Sequence, residues 1–187
     1  MKLTEGMPPG EELSIGAVEP VNPPSSVEEV LSEIKSSLGE AWLPQVYRQR
    51  VLTIRTRSHH LPAAKRNASI EILHTLLGIE LKVGRRRISC PDLATARYLA
   101  VFARIGCTEV AVPYDITQIS RLADDLESAW HRMILLSEHS SKGRKPAFIS
   151  KARTRTIAEA LREIEQAGAG TPVPQFNQNT KQRQRRL

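Results

Sequence analysis

Ala68–Cys90, ASIEILHTLLGIELKVGRRRISC, holds the choice on which the fold turns. It lies inside the segment Arg50–Ala129, around which the rest of the chain is organised. Ala68, Ile72, Leu73, Leu76 and Leu77 recur at helical spacing, and Gly78 offers a left-handed residue past the last turn. Pro62 suits the first turn of a helix, where its missing N–H would be unpaired anyway. A helix from Pro62 to Leu77 is therefore expected. Ile79, Leu81 and Val83 alternate with Glu80 and Lys82, which predicts a half-buried strand. Gly84-Arg85 turns it into a second strand, Arg86–Cys90, and so into a hairpin.

Outward from there, Val51-Leu52-Thr53-Ile54 opens a β-prone run, with Leu52 and Ile54 on one face and Thr53, Arg55 and Arg57 on the other. Downstream, Pro91-Asp92 opens a helix whose buried stripe is Leu93, Ala96, Leu99, Ala100 and Ala103, closed by Gly106. Thr108–Val112 is a β-branched run ended by Pro113. Asp115 and Gln118 form a capping-box pattern before a long helix with Ile119, Leu122, Ala123, Leu126, Trp130, Met133 and Ile134 on one face. The order β-α-β-β-α-β plus a helix predicts an α+β core of ferredoxin-like topology, with four antiparallel strands ordered 4-1-3-2. A smaller βα unit on a helical bundle is the alternative if the first strand is a loop. Leu76, Leu99, Val110, Val112, Leu122, Leu126 and Trp130 form the expected core.

The flanks read as appendages to a single domain spanning residues 25–139, with its core at 46–139. Residues 1–24, rich in Pro, Gly and Glu, are expected to be disordered. Ser25 or Ser26 caps a short helix over 26–38 with Glu28 or Glu29 in the matching position. Trp42-Leu43-Pro44 and Tyr47 pin the entry to the first strand. Residues 140–167 read as a basic linker, Ser140–Thr154, followed by a helix of about three turns that Thr156 and Glu159 would cap. Residues 168–187 form a polar tail ending in Lys181-Gln182-Arg183-Gln184-Arg185-Arg186, also expected to be disordered.

Charge is distributed unevenly. Residues 1–45 carry eight Glu, no Asp and two Lys, so the formal net charge of +7 arises wholly downstream. Cys90 and Cys107 have neither metal-ligand spacing nor the density of a secreted disulfide scaffold, which favours a reducing, cytoplasmic setting. No apolar run is long enough for a signal peptide or a bilayer span.

The basic residues are the leading functional candidates. Arg55 and Arg57 on the first strand, with Lys82, Arg85, Arg86 and Arg87 around the hairpin, would share an open sheet face in the 4-1-3-2 order. Lys142, Arg144, Lys145, Lys151 and Arg153 lie in the acid-free linker. Guanidinium groups grip phosphate in a bidentate fork, so this set predicts nucleic-acid binding. The expected central strands carry no aromatic for stacking bases, which favours backbone or shape recognition of RNA. The bland alternative is a solvated hairpin whose charges keep a sheet edge soluble.

Other chemistry is weakly signalled. His59-His60, His74, His131, Cys90 and Cys107 show no regular ligand spacing, so neither a metal nor another cofactor is expected. Cys90 and Cys107 read as small buried apolar residues rather than nucleophiles. Glu80, Lys82 and Asp92 stand in the wrong order for a metal-dependent nuclease, and Asp92 suits a helix start. Asp115 would repel an anion at the strand end, and no glycine-rich phosphate loop is present. The expectation is a non-enzymatic RNA-binding protein that grips phosphate through the basic sheet and hairpin face, the linker and the basic tail. The alternative is a regulatory or assembly adaptor for an acidic protein partner, suggested by the N-terminal segment and the short C-terminal helix.

Overall fold

The computed structural model describes residues 26–63 and 68–171. The described residues are mixed α+β: five α-helices and five strands in two small antiparallel sheets. Helix α1, Val27–Leu38, opens with the expected capping box: Ser26 Oγ accepts from the Glu29 N–H at 3.1 Å, and the Glu29 carboxylate accepts from the Ser26 N–H at 3.3 Å. Its apolar stripe, Val30, Leu31 and Ile34, packs into the core, while Glu28, Glu29 and Glu33 face solvent.

The first strand begins later than the alternation at Val51 suggests. Leu43, Val46, Tyr47 and Val51 recur at helical spacing, and all four are buried. Helical structure therefore continues through them, first as the single turn α2, Leu43–Val46, then as a π-helical turn, Tyr47–Val51. Strand β1 is Thr56–His60.

The expected helix from Pro62 to Leu77 is not formed over its described part. Ile70–Thr75 is strand β2, which pairs residue for residue with β3, Gly78–Val83. Residues 64–67 lie outside the described residues. Apolar residues at both helical and alternate spacing left the segment ambiguous, and tertiary pairing decided it. As a strand, Ile70 and Ile72 lean on the core beside Leu81 and Val83, whereas Leu76-Leu77 becomes a two-residue loop between the opposed Thr75 and Gly78. The Thr75 hydroxyl braces that loop, accepting from the Leu77 N–H at 3.3 Å and donating to the Gly78 carbonyl at 3.1 Å. Leu76 is fully exposed, in contrast to its expected place in the core; the other six residues expected there are buried.

With β2 in place of a helix, β2, β3 and β4 (Arg86–Cys90) make a continuous meander. Strand β1 is left to pair with β5, Glu109–Pro113, from Thr56 opposite Pro113 to His60 opposite Glu109. The four-stranded sheet ordered 4-1-3-2 is thus replaced by two sheets, β2-β3-β4 and β1-β5. The expected ferredoxin-like arrangement needs β1 beside the second hairpin strand, β4, and that pairing is absent among the described residues.

Helix α3, Leu93–Ile105, buries Ala96, Leu99, Ala100 and Ala103 of its expected stripe, whereas Leu93, in the first turn, is exposed. Asp92 accepts from the Thr95 N–H at 2.6 Å, and Gly106 closes the helix at φ +99°, a left-handed conformation that a side chain disfavours. Phe102 of α3 packs its ring against Tyr98 and Tyr47, with centroids 5.2 Å and 5.3 Å away. Both tyrosine hydroxyls reach the backbone of Ala111 on the edge of β5 away from β1. Tyr47 accepts from its N–H at 3.1 Å, and Tyr98 donates to its carbonyl at 2.5 Å. The other flank, along β1, is met by Thr171, whose carbonyl accepts from the Ser58 N–H at 2.9 Å. Gly170 is required on that approach, since a Cβ there would lie 2.6 Å from Thr56 Oγ1.

Helix α4, Ile119–Ser140, buries Leu122, Leu126, Met133 and Ser137 along one side. Asp115 ahead of it accepts from the Thr117 N–H at 3.0 Å and from the Gln118 side chain at 3.1 Å. Helix α5 departs from expectation. It runs from Pro146 to Ala167, so the basic linker is largely helical. Pro146 sits in the first turn, and Ala152, Thr156, Ala160 and Ile164 recur at fourfold spacing and are buried. Thr156 is no cap: its hydroxyl donates to the Ala152 carbonyl at 3.0 Å within the helix.

Candidate nucleic-acid interface

A polar cluster between α1 and α5 fixes the basic helix in place. Glu159 is buried, and its carboxylate meets Lys35 Nζ at 2.8 Å and Arg162 at 2.6 Å. Lys35 also meets Glu163 at 2.6 Å, and the Trp42 indole donates to Glu163 at 3.1 Å. The hydrogen bonds from Arg162 and Lys35 hold the Glu159 carboxyl well below its ordinary range, at about 2. Glu159, which the sequence suggested as half of a helix cap, is thus the tether of α5 to α1.

The eleven candidate cations fall into three groups on different elements. Arg55, just before β1, stacks its guanidinium over Tyr114 at 4.9 Å, and Arg57 is exposed on β1. Lys82, Arg85, Arg86 and Arg87 belong to the other sheet or its turn. Since β1 and β4 are in different sheets, the shared open face expected for Arg55, Arg57 and the hairpin arginines is not built from adjacent strands.

The hairpin group is also partly neutralised. Glu71, Lys82 and Arg87 stand side by side across β2, β3 and β4. Lys82 pairs with Glu71 at 3.0 Å, and Arg87 reaches Glu80 at 3.3 Å. Such exposed pairs contribute about 0–1 kcal/mol each, but they offset two of the four hairpin cations. Arg85 and Arg86, at the turn and the strand start, are exposed and have no carboxylate partner among the described residues.

The third group is denser. Lys142, Arg144 and Lys145 form the α4–α5 turn, and Lys151, Arg153 and Arg155 follow on the first half of α5, with no acid from residue 142 to residue 155. Arg144 lies over Phe148 at 5.7 Å. Arg153 meets the exposed Glu138 at 3.4 Å. Lys142, Lys145, Lys151 and Arg155 are exposed and have no carboxylate partner among the described residues. Lys151 and Arg155, four apart, share one face of the helix. The helix N-terminus adds partial positive charge where cations are already concentrated, and its first turn contains no acid.

Arg155 was absent from the sequence-derived set because the supposed cap at Thr156 ended the linker one residue earlier. The signal was available: Ala152, Thr156 and Ala160 already mark the buried stripe of a longer helix, with Lys151 and Arg155 beside it.

Other candidate residues have structural roles or no converging partners. His59 is half-buried, its Nε2 has no hydrogen-bond partner among the described residues, and burial, Arg57 and His60 depress its pKa. Among the described residues no three His, Cys, Asp or Glu side chains converge to hold a metal. Burial pushes the Cys107 thiol up to about 12 and raises Cys90 as well, so both are protonated at neutral pH. Among the described residues no helix is long and apolar enough to cross a membrane. No family model, curated protein or solved structure matches the chain.

Proposed function

We propose that the protein binds nucleic acid without catalysis, gripping phosphates through the α4–α5 corner. The observation that carries this is the run of four exposed cations, Lys142, Lys145, Lys151 and Arg155, without a carboxylate partner among the described residues, at a helix held in place by the Glu159 tether. Fixed cations on a rigid element lose less entropy on engaging phosphate than cations on a loose linker would. Arg153 and Arg144 extend the same surface, and Arg55, Arg57, Arg85 and Arg86 are secondary contacts. The hairpin pair Lys82 and Arg87 contributes less, because Glu71 and Glu80 already engage it.

RNA is the favoured form. The first half of α5 holds no Asn or Gln to read adenine edges in a DNA major groove, and its cations suit contacts to phosphate. Structured RNA, recognised by shape and phosphate position, suits such a surface. A cytoplasmic setting fits the two reduced thiols. The test is sedimentation of the protein in a cell lysate with and without nuclease. A shift to slower sedimentation after nuclease supports the proposal, and an unchanged profile opposes it.

One observation favours a second reading, an adaptor for an acidic protein partner. Leu76 and Leu77 stand fully exposed at the tip of the β2–β3 hairpin, an apolar pair with no role in the described fold. A complex that survives nuclease but dissociates when Leu76 and Leu77 are replaced by Ser would favour it.

A further inference from the structure

A cleft of about 690 Å³ opens where the end of α3 meets α4, α5 and the start of β2. Ile105, Trp130, Ile157 and Leu161 form much of its wall, and its size is that of a small-molecule site. One charged group at this cleft lacks a carboxylate partner among the described residues. Arg104, in the last turn of α3, is half-buried at the cleft yet has no carboxylate partner among the described residues. The nearby end of the helix dipole favours a cation there, but that does not compensate a guanidinium partly withdrawn from water beside an apolar wall. Trp130, only 7% exposed, contributes aromatic surface to the wall.

Arg153 and the hydroxyl-bearing Ser150 and Thr154 border the same cleft. Arg153 is offset by Glu138, so the net charge around the opening is that of Arg104. The arrangement calls for an occupant with an anionic, hydrogen-bond-accepting head and an apolar body. We propose that this cleft binds a small amphipathic organic anion, its carboxylate or phosphate on Arg104 and its apolar part against Trp130, Ile157 and Leu161. The site adjoins the phosphate-gripping surface at Arg153 but needs neither Lys151 nor Arg155.

The test uses the full chain without nucleic acid, so its outcome does not depend on the RNA-binding proposal. Octanoate, octyl phosphate and uncharged octan-1-ol are titrated while the two indole N–H resonances are followed by NMR, assigned with a Trp42→Phe variant. The Trp130 resonance is expected to shift saturably with an anion, at a concentration roughly tenfold below that needed for octan-1-ol. The stronger of octanoate and octyl phosphate identifies the head group. Arg104→Gln should remove the preference for the anion while leaving the unfolding temperature unchanged. Ala158→Phe, at an exposed position on the rim, should block all three compounds. Equal response to octanoate, octyl phosphate and octan-1-ol in the parent would overturn the proposal, as would an unmoved Trp130 resonance or an anion preference that survives Arg104→Gln.

Discussion

Tyr47 takes the amide N–H of Ala111 at 3.1 Å and, with its own proton, donates to the Gly168 carbonyl at 2.8 Å. One phenol therefore joins the π-helical turn, the outer edge of β5 and the segment leaving α5. Burial raises its pKa to about 12, so the hydroxyl keeps its proton and serves as donor and acceptor at once.

Tyr47→Phe should cost about 1–3 kcal/mol, because it strands a buried amide and a carbonyl without their partner. Chemical denaturation measures this. A variant as stable as the parent would mean that water replaces the hydroxyl at no cost.

Two leucines test the placement of β2. Leu126 is fully buried in α4, so Leu126→Ala should destabilise by about 2–5 kcal/mol. Leu76 is fully exposed at the hairpin tip, and Leu76→Ala should stay within about 0.5 kcal/mol of the parent. A large destabilisation by Leu76→Ala would restore the helix that the sequence suggested for this stretch.

Glu159 gives the fold an acid-sensitive joint. Its folded pKa is depressed from 4.5 to about 2, mainly by hydrogen bonds from Arg162 and Lys35. Its stabilising effect is therefore complete above about pH 4.5 and is lost as the pH falls toward 2. Thermal unfolding across that window should decline less steeply in Glu159→Gln than in the parent. Parallel declines would show that the joint contributes nothing to acid sensitivity.

The parts of the fold legible from sequence were those where local chemistry and tertiary packing agree. Ser26 with Glu29, Asp92 with Gly106, and the hairpin turn at Gly84-Arg85 are set by caps and turns within a few residues. Leu73, Leu76 and Leu77 instead fit a helical stripe, and only pairing with Gly78–Val83 shows that two of them form a loop. That pairing is invisible to periodicity. Thr156 and Glu159 likewise match a capping box, yet they sit in mid-helix because Lys35 of α1 awaits the carboxylate. The candidate site was legible as charge but not as geometry. Lys142 to Arg153 were identifiable as an acid-free run, whereas the neutralisation of Lys82 and Arg87 depends on Glu71 and Glu80 lying across strands.

The hairpin offers a contrast to the α4–α5 corner. Replacing Arg85, Arg86 and Arg87 with Gln should leave folding nearly unchanged and weaken RNA binding only modestly, since Arg87 already faces Glu80. Filter binding to a structured RNA at fixed salt provides the comparison. A greater weakening than from the corner substitutions would move the interface to the sheet.

The most direct measurement is the salt dependence of RNA affinity for a variant with Lys142, Lys145, Lys151 and Arg155 all replaced by Gln. Every phosphate that the variant no longer engages flattens the slope of log affinity against log salt by about 0.7–0.9, so four of them should flatten it by about three. The parent should bind far more weakly at physiological than at low salt, and the variant should bind weakly at every salt concentration with the shallower slope. Equal affinity and equal slope in parent and variant would contradict the assignment of phosphate binding to this corner.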